Sequence, residues 1–128
     1  MMRLNRVTLV VRDYDEAIAY FTQTLGFALL EDTPMGPAKR FVVVSPGDGG
    51  AALLLAKAAN AVQAAHVGDQ TGGRVGFFLE TDDFDRDYET YRARGVDFIE
   101  TPRDETYGRV VVFRDLFGNL WDLVSRRR

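Results

Sequence analysis

The chain has 128 residues and a mass of 14.4 kDa, with 46% hydrophobic and 27% charged residues, a balance suited to one globular domain that buries roughly two thirds of its unfolded surface. No apolar run approaches the ~18–20 residues of a membrane span, and Met1–Arg12 lacks the apolar stretch and cleavage site of a secretory signal, so a cytoplasmic protein without a membrane partner is expected. The absence of cysteine excludes disulfides, thiolate nucleophiles and Cys-ligated zinc, and a net charge of −3 gives no general attraction to nucleic acid. The basic run Arg126–Arg128 reads as a solvated terminal tail.

In chain order, Leu4–Arg12 alternates as a strand and leads through an acidic turn into a helical stretch, Tyr14–Thr24, with Ala17, Ile18, Phe21 and Leu25 on one stripe. Asp13 or Asp15 is its N-cap candidate, because a short carboxylate accepts bonds from the unpaired N–H groups of a first turn, and Gly26 suits the C-terminal stop. Strands follow near Ala28–Asp32 and Arg40–Ser45. Ala51–Ala65 (AALLLAKAANAVQAA) has a helical composition.

The second half repeats this order. Arg6–Val11 sets against Arg74–Leu79 at an offset of 68, Asp13-Tyr14-Asp15 against Asp83-Phe84-Asp85 at 70, and Leu25-Gly26-Phe27 against Arg94-Gly95-Val96 at 69. Arg40–Val44 matches Arg109–Phe113 at 69, and that register runs without a gap through Gly49/Gly118 to Leu53/Asp122. The drift reads as one- or two-residue loop differences. The counterpart of Ala51–Ala56 is then the strand-like Leu120–Val124 after a Gly-Asn turn, so Ala51–Ala56 is predicted as a strand antiparallel to Arg40–Ser45, with only later residues left for a short helix. The remaining predicted elements are strands at Arg74–Thr81, Val96–Glu100, Arg109–Arg114 and Leu120–Val124 and a helix at Phe84–Arg94, capped by Asp83 or Asp85, with Phe84, Tyr88 and Tyr91 on its apolar face. The fold class is α+β: two tandem βαβββ modules, 1–62 and 73–128, forming a curved mixed sheet around a central pocket and joined across Gln63–Gly73.

Leu4–Asp13 (LNRVTLVVRD), Ala17–Phe27 (AIAYFTQTLGF), Arg74–Asp83 (RVGFFLETDD) and Asp115–Leu123 (DLFGNLWDL), in this order and spacing, resemble the vicinal oxygen chelate superfamily over nearly the whole chain. That superfamily includes glyoxalase I, extradiol dioxygenases, fosfomycin-modifying enzymes and bleomycin-resistance proteins. The resemblance implies a metal held by a His on the first strand, a His or Gln on the first strand of the second module and a Glu on the last strand, with a further ligand from the fourth strand in glyoxalase-type sites. The corresponding positions here are Arg6, Arg74, Asp122 and Leu53. Arginine stays protonated and offers only donors, and leucine offers nothing, so no metal and no cofactor is predicted.

Strand alternation places Arg6, Thr8 and Val10 on one face, with Arg74, Gly76 and Phe78 on the matching face and Asp122 opposite them. Two readings stay open. Asp122 either takes charge-assisted hydrogen bonds from one or both arginines as a structural substitute for the metal, or leaves a surplus positive charge that binds an oxyanion, with Phe78 and Leu53 as an apolar wall. The candidate ligand-binding set is Arg6, Thr8, Leu53, Arg74, Phe78, Tyr107 and Asp122, with Tyr107 as a hydrogen-bonding side chain at the pocket mouth. No catalytic residue is assigned. His66, the sole histidine, falls in the linker and reads as a surface residue; Gly47-Asp48-Gly49-Gly50 lacks the Lys-Ser/Thr ending of a phosphate loop and reads as a turn; Trp121 should face the helix-packed side. The expected function is a glyoxalase/bleomycin-resistance-like protein that binds a small organic ligand, an anion on one of the two readings, without a metal. The alternative is a lyase or dioxygenase of the superfamily with an atypical site, and only that alternative calls for a divalent metal. A homodimer is expected from the resemblance, with no nucleic-acid partner.

Overall fold

The computed structural model describes residues 1–47 and 49–126, so Asp48 of the predicted glycine-rich turn and Arg127 and Arg128 of the basic tail lie outside the described residues. The chain divides into two compact units, Met1–Gly68 and Asp69–Arg128.

In the first unit the elements are β1 (Arg6–Val11), α1 (Tyr14–Ala19) continuing into a π-helical turn (Tyr20–Thr24), β2 (Ala28–Pro34), β3 (Arg40–Ser45), β4 (Ala52–Lys57) and the short α2 (Ala61–Ala64). The sheet order is β1-β4-β3-β2, with β1 parallel to β4 and the other pairs antiparallel. The second unit has β5 (Val75–Thr81), α3 (Phe84–Ala93), β6 (Asp97–Phe98), β7 (Arg103–Glu105), β8 (Gly108–Arg114) and β9 (Leu120–Ser125). Its path is β5-β9-β8-β6, with β7 also on β8. Two differences from the predicted elements stand out: Val96–Glu100 narrows to a two-residue strand, and an unpredicted strand, β7, follows it.

Ala52–Lys57 is a strand antiparallel to β3, as predicted against its helical composition. Tertiary context decides this, since Leu53 and Leu55 are buried between the neighbouring strands and the helix side while an isolated helix of this length would be marginal. Helical propensity reappears only in α2, where Asn60 accepts from the Gln63 N–H at 2.9 Å and Gln63 Oε1 accepts from the Ala59 N–H at 2.8 Å. The caps of the longer helices are Asp13 and Asp83, accepting from the N–H groups of Glu16 and Arg86 at 2.8 and 3.1 Å. Just after each cap stands an aromatic residue, Tyr14 or Phe84, covered by an arginine at the start of the third main strand: Arg40 lies 5.2 Å from the Tyr14 ring and Arg109 lies 5.6 Å from that of Phe84.

The strand partners correct the predicted register. Thr8 pairs with Leu54 and Phe78 with Asp122; Val43 pairs with Leu54 and Val112 with Asp122. Thr8 therefore answers to Phe78 at an offset of 70, and Leu54, not Leu53, answers to Asp122 at 68. The extra residues of the first unit sit in two places. One is the β3–β4 turn. The other is the helix itself, where the sixth residue of a turn is taken up as the π-helical stretch that α3 lacks. Between Val75 and Phe77, β5 carries a bulge at Gly76, where an added Cβ would lie 2.6 Å from the Thr71 methyl.

Each unit buries one sheet face under its helix. In the first, Leu9, Val11, Val42, Val44 and Leu55 are fully buried with Phe21 and Ala17. In the second, Trp121 stacks on Phe77 at 4.6 Å and lies 5.8 Å from Phe113, which meets Tyr91 edge-on at 5.9 Å. Burial holds the Tyr91 hydroxyl in its protonated form, its pKa pushed up to about 12. The edge strand β2 is exposed along all seven residues and is bulged at Leu30.

Candidate functional site

Residues paired across neighbouring strands share a face, so the helix-free face of the second unit can be read from its register. Phe78 on β5, Asp122 on β9, Val110 and Val112 on β8 and Arg103 on β7 lie on it, because Phe78 pairs with Asp122, Asp122 with Val112, and Val110 with Arg103. Phe77, Phe113 and Trp121 take the opposite, helix-packed face, as predicted for Trp121.

Asp122 is 8% exposed and its Oδ1 is buried without a hydrogen-bond partner. Burial raises its pKa; the Arg103 guanidinium acts against this and the Glu100 carboxylate adds to it. Arg103 is itself occupied, bonded to Glu100 at 3.2 Å and to Glu105, with Tyr107 a further hydrogen-bonding neighbour. These contacts hold its pKa far above the usual arginine value, so it stays charged. Glu100 Oε2 also accepts from the Val112 N–H at 3.0 Å, standing in for a strand partner where β6 has ended. Phe78, directly beside Asp122 in the register, is 66% exposed, an unusual state for a phenylalanine in a sheet.

Seven residues away, Asp115 is treated in the opposite way. It is 4% exposed, yet its Oδ1 accepts from the N–H groups of Phe117, Gly118 and Asn119, and its Oδ2 accepts from Asn119 Nδ2 and from Trp121 Nε1 at 2.9 Å. That carboxylate builds the β8–β9 turn and leaves nothing to offer a ligand.

The candidate residues named from sequence fall as follows. Phe78, Tyr107 and Asp122 belong to one cluster in the second unit. Arg74 does not join it: it precedes β5, is exposed, and forms no ion pair with Asp122. With the bulge at Gly76, Val75, rather than Arg74, is the counterpart of Arg6: Arg6 pairs with Ala52 as Val75 pairs with Leu120. Leu53 faces the helix side with Leu55, and Leu54 holds the place expected of it, because the β3–β4 turn has one residue more than the β8–β9 turn. Arg6 and Thr8 are exposed residues of the first unit's helix-free face, with Arg6 5.1 Å from the Phe41 ring. His66 is exposed after α2. Sequence reasoning missed Glu100 and Arg103, because a strand of three charged residues has no apolar alternation to read; Pro102, acceptable just ahead of an edge strand, was the available signal.

The family's metal finds no matching donors. Among the described residues no three of His, Cys, Asp and Glu come together as a ligand group, the side chains of Arg6 and Leu54 bring no lone pair, and near Asp122 one further carboxylate, Glu100, is accompanied by the cationic Arg103.

The sequence profile of the Glyoxalase/Bleomycin resistance protein/Dioxygenase superfamily matches residues 3–123. An uncharacterized protein of Shewanella frigidimarina is 51% identical over 121 residues, spanning 93% of this chain and 90% of the relative. Among solved structures, UcmS2 is 30% identical with a TM-score of 0.83, over 97% of this chain and 98% of its own. TnmS3, an antibiotic binding protein from Streptomyces sp. CB03234, is 28% identical with a TM-score of 0.80, over 99% and 98%. A profile match across nearly the whole sequence, on two units that each run from a first strand through a helix to three main strands, means that the chain belongs to the Glyoxalase/Bleomycin resistance protein/Dioxygenase superfamily.

Proposed function

We propose that the protein binds a small organic molecule without a metal, on the helix-free sheet face that carries Phe78 and Asp122, and that it does so in the cytoplasm as a binding protein rather than an enzyme. The observation that carries this is Asp122: a buried carboxylate oxygen without a partner, at the family's ligand position, next to an exposed aromatic ring. A buried polar group left unpaired costs stability, and a ligand that answers it recovers that cost on binding. Tyr107, a hydrogen-bonding neighbour of Arg103 in the same unit, is the further residue proposed to contribute. The similarity to TnmS3, an antibiotic binding protein, supports a binding role. No helix among the described residues is long and apolar enough to cross a membrane.

The lyase or dioxygenase alternative has no observation in its favour, since those chemistries need a metal to polarise oxygen and the donors at the matching positions do not suit one. Elemental analysis of purified protein, followed by a thermal-shift screen of small aromatic compounds of each charge, tests the proposal. Substoichiometric metal and a ligand that raises the melting temperature are expected. About one Zn, Fe, Mn or Ni per chain bound through Asp122 would overturn it.

A further inference from the structure

We infer that Asp122 selects ligands carrying a hydrogen-bond donor, a protonated amine above all, attached to a planar apolar group that lies on Phe78; this deepens the small-molecule reading above and rests on it. The charge pattern argues against an oxyanion. Beside Asp122 stand the Glu100 carboxylate and one guanidinium, that of Arg103, which is already bonded to Glu100 and to Glu105. Two carboxylates, Asp122 and Glu100, face one cation that Glu105 also engages, so the cluster is net negative, and a carboxylate or phosphate brought to Asp122 would meet like charge at low solvent exposure. Among the described residues no ion pair reaches Asp122, and its Oδ1 is an acceptor without a donor. A carboxylate oxygen accepts and does not donate, so what satisfies it is an N–H or O–H group. Phe78 supplies the second half of the recognition: it is the strand-register partner of Asp122, shares its face, and is 66% exposed. A ligand with a ring and a donor about one bond removed from it fits both groups at once.

The test uses two probes of equal shape and opposite charge, 2-naphthylmethylamine and 2-naphthoate, titrated calorimetrically into the intact protein. The amine is expected to bind at least about tenfold more tightly than the carboxylate, as a charge-assisted bond implies. Asp122→Asn should erase that preference, and Phe78→Ala should weaken both probes. Arg103→Gln, which leaves Asp122 in place and removes the competing cation, should strengthen the amine; this variant decides the matter if Asp122→Asn does not fold. A preference for naphthoate, or amine binding unchanged in Asp122→Asn, overturns donor selection while leaving the small-molecule reading standing. Binding of neither probe at millimolar concentration overturns donor selection as well, and takes the parent reading with it when the thermal-shift screen also finds no ligand.

Discussion

Asp115 and Asp122 are both buried carboxylates, and the difference between them is a matter of partners. Asp115 answers three backbone N–H groups and the Trp121 indole, so Asp115→Ala would strand several donors at once and should cost about 3 kcal/mol or more in urea unfolding. Asp122 has an unanswered oxygen and a pKa raised chiefly by burial, with Glu100 adding to the rise and Arg103 opposing it. Ionising it therefore costs more in the folded state than in the unfolded chain. At neutral pH the ionised group costs stability, and that cost is relieved as pH falls through the raised native value towards the unfolded one. Asp122→Asn should thus stabilise the unliganded protein at pH 7 by roughly 1 kcal/mol, with the gap to the parent closing on acidification. A destabilised Asp122→Asn at pH 7 would favour the structural role expected from sequence, in which the carboxylate serves as a counter-charge.

At the level of elements, the order of strands and helices was legible because apolar alternation, acidic caps and glycine stops are local signals. The strand at Ala52–Lys57 was legible only through its counterpart in the other half. What local signals could not reveal was where single residues had been inserted. The offset changes by one between Asp13/Asp83 and Gly26/Gly95, which sequence reading assigned to loops, whereas the residue is absorbed inside the helix as the π turn at Tyr20–Thr24. The bulge at Gly76 and the longer β3–β4 turn are why Arg74 was matched to Arg6 and Leu53 to Asp122, whereas Phe78 and Asp122 do share a face. The π turn makes a specific deletion tolerable. Removing exposed Gln23 should convert the segment to continuous α-helix with a stability change within about 1 kcal/mol, since it restores the spacing that the second unit already has. Removing Glu89 from α3 should instead turn buried Tyr91 away from Phe113 and cost about 3 kcal/mol or more. Circular dichroism and urea unfolding of the two deletions would check the contrast.

On the scale of the whole molecule, a chelator should leave the melting temperature unchanged, because no ligand-rich site exists among the described residues for a metal to stabilise. A loss of several degrees on treatment with EDTA would contradict this. The two-fold homodimer implied by the family resemblance is proposed for this chain as well, and light scattering at micromolar concentration should give twice the monomer mass. The strand β2 bears on how such a solution keeps. Its outer backbone groups form a template on which another chain's strand could add, and Leu29 and Leu30 make that edge adhesive. The bulge at Leu30 breaks the template, Pro34 withholds a donor, and Glu31 and Asp32 charge it, while the net charge of −3 keeps copies of the chain apart. Turbidity should therefore rise as the solution approaches the isoelectric point near pH 5.1, well before the cores of the two units have melted.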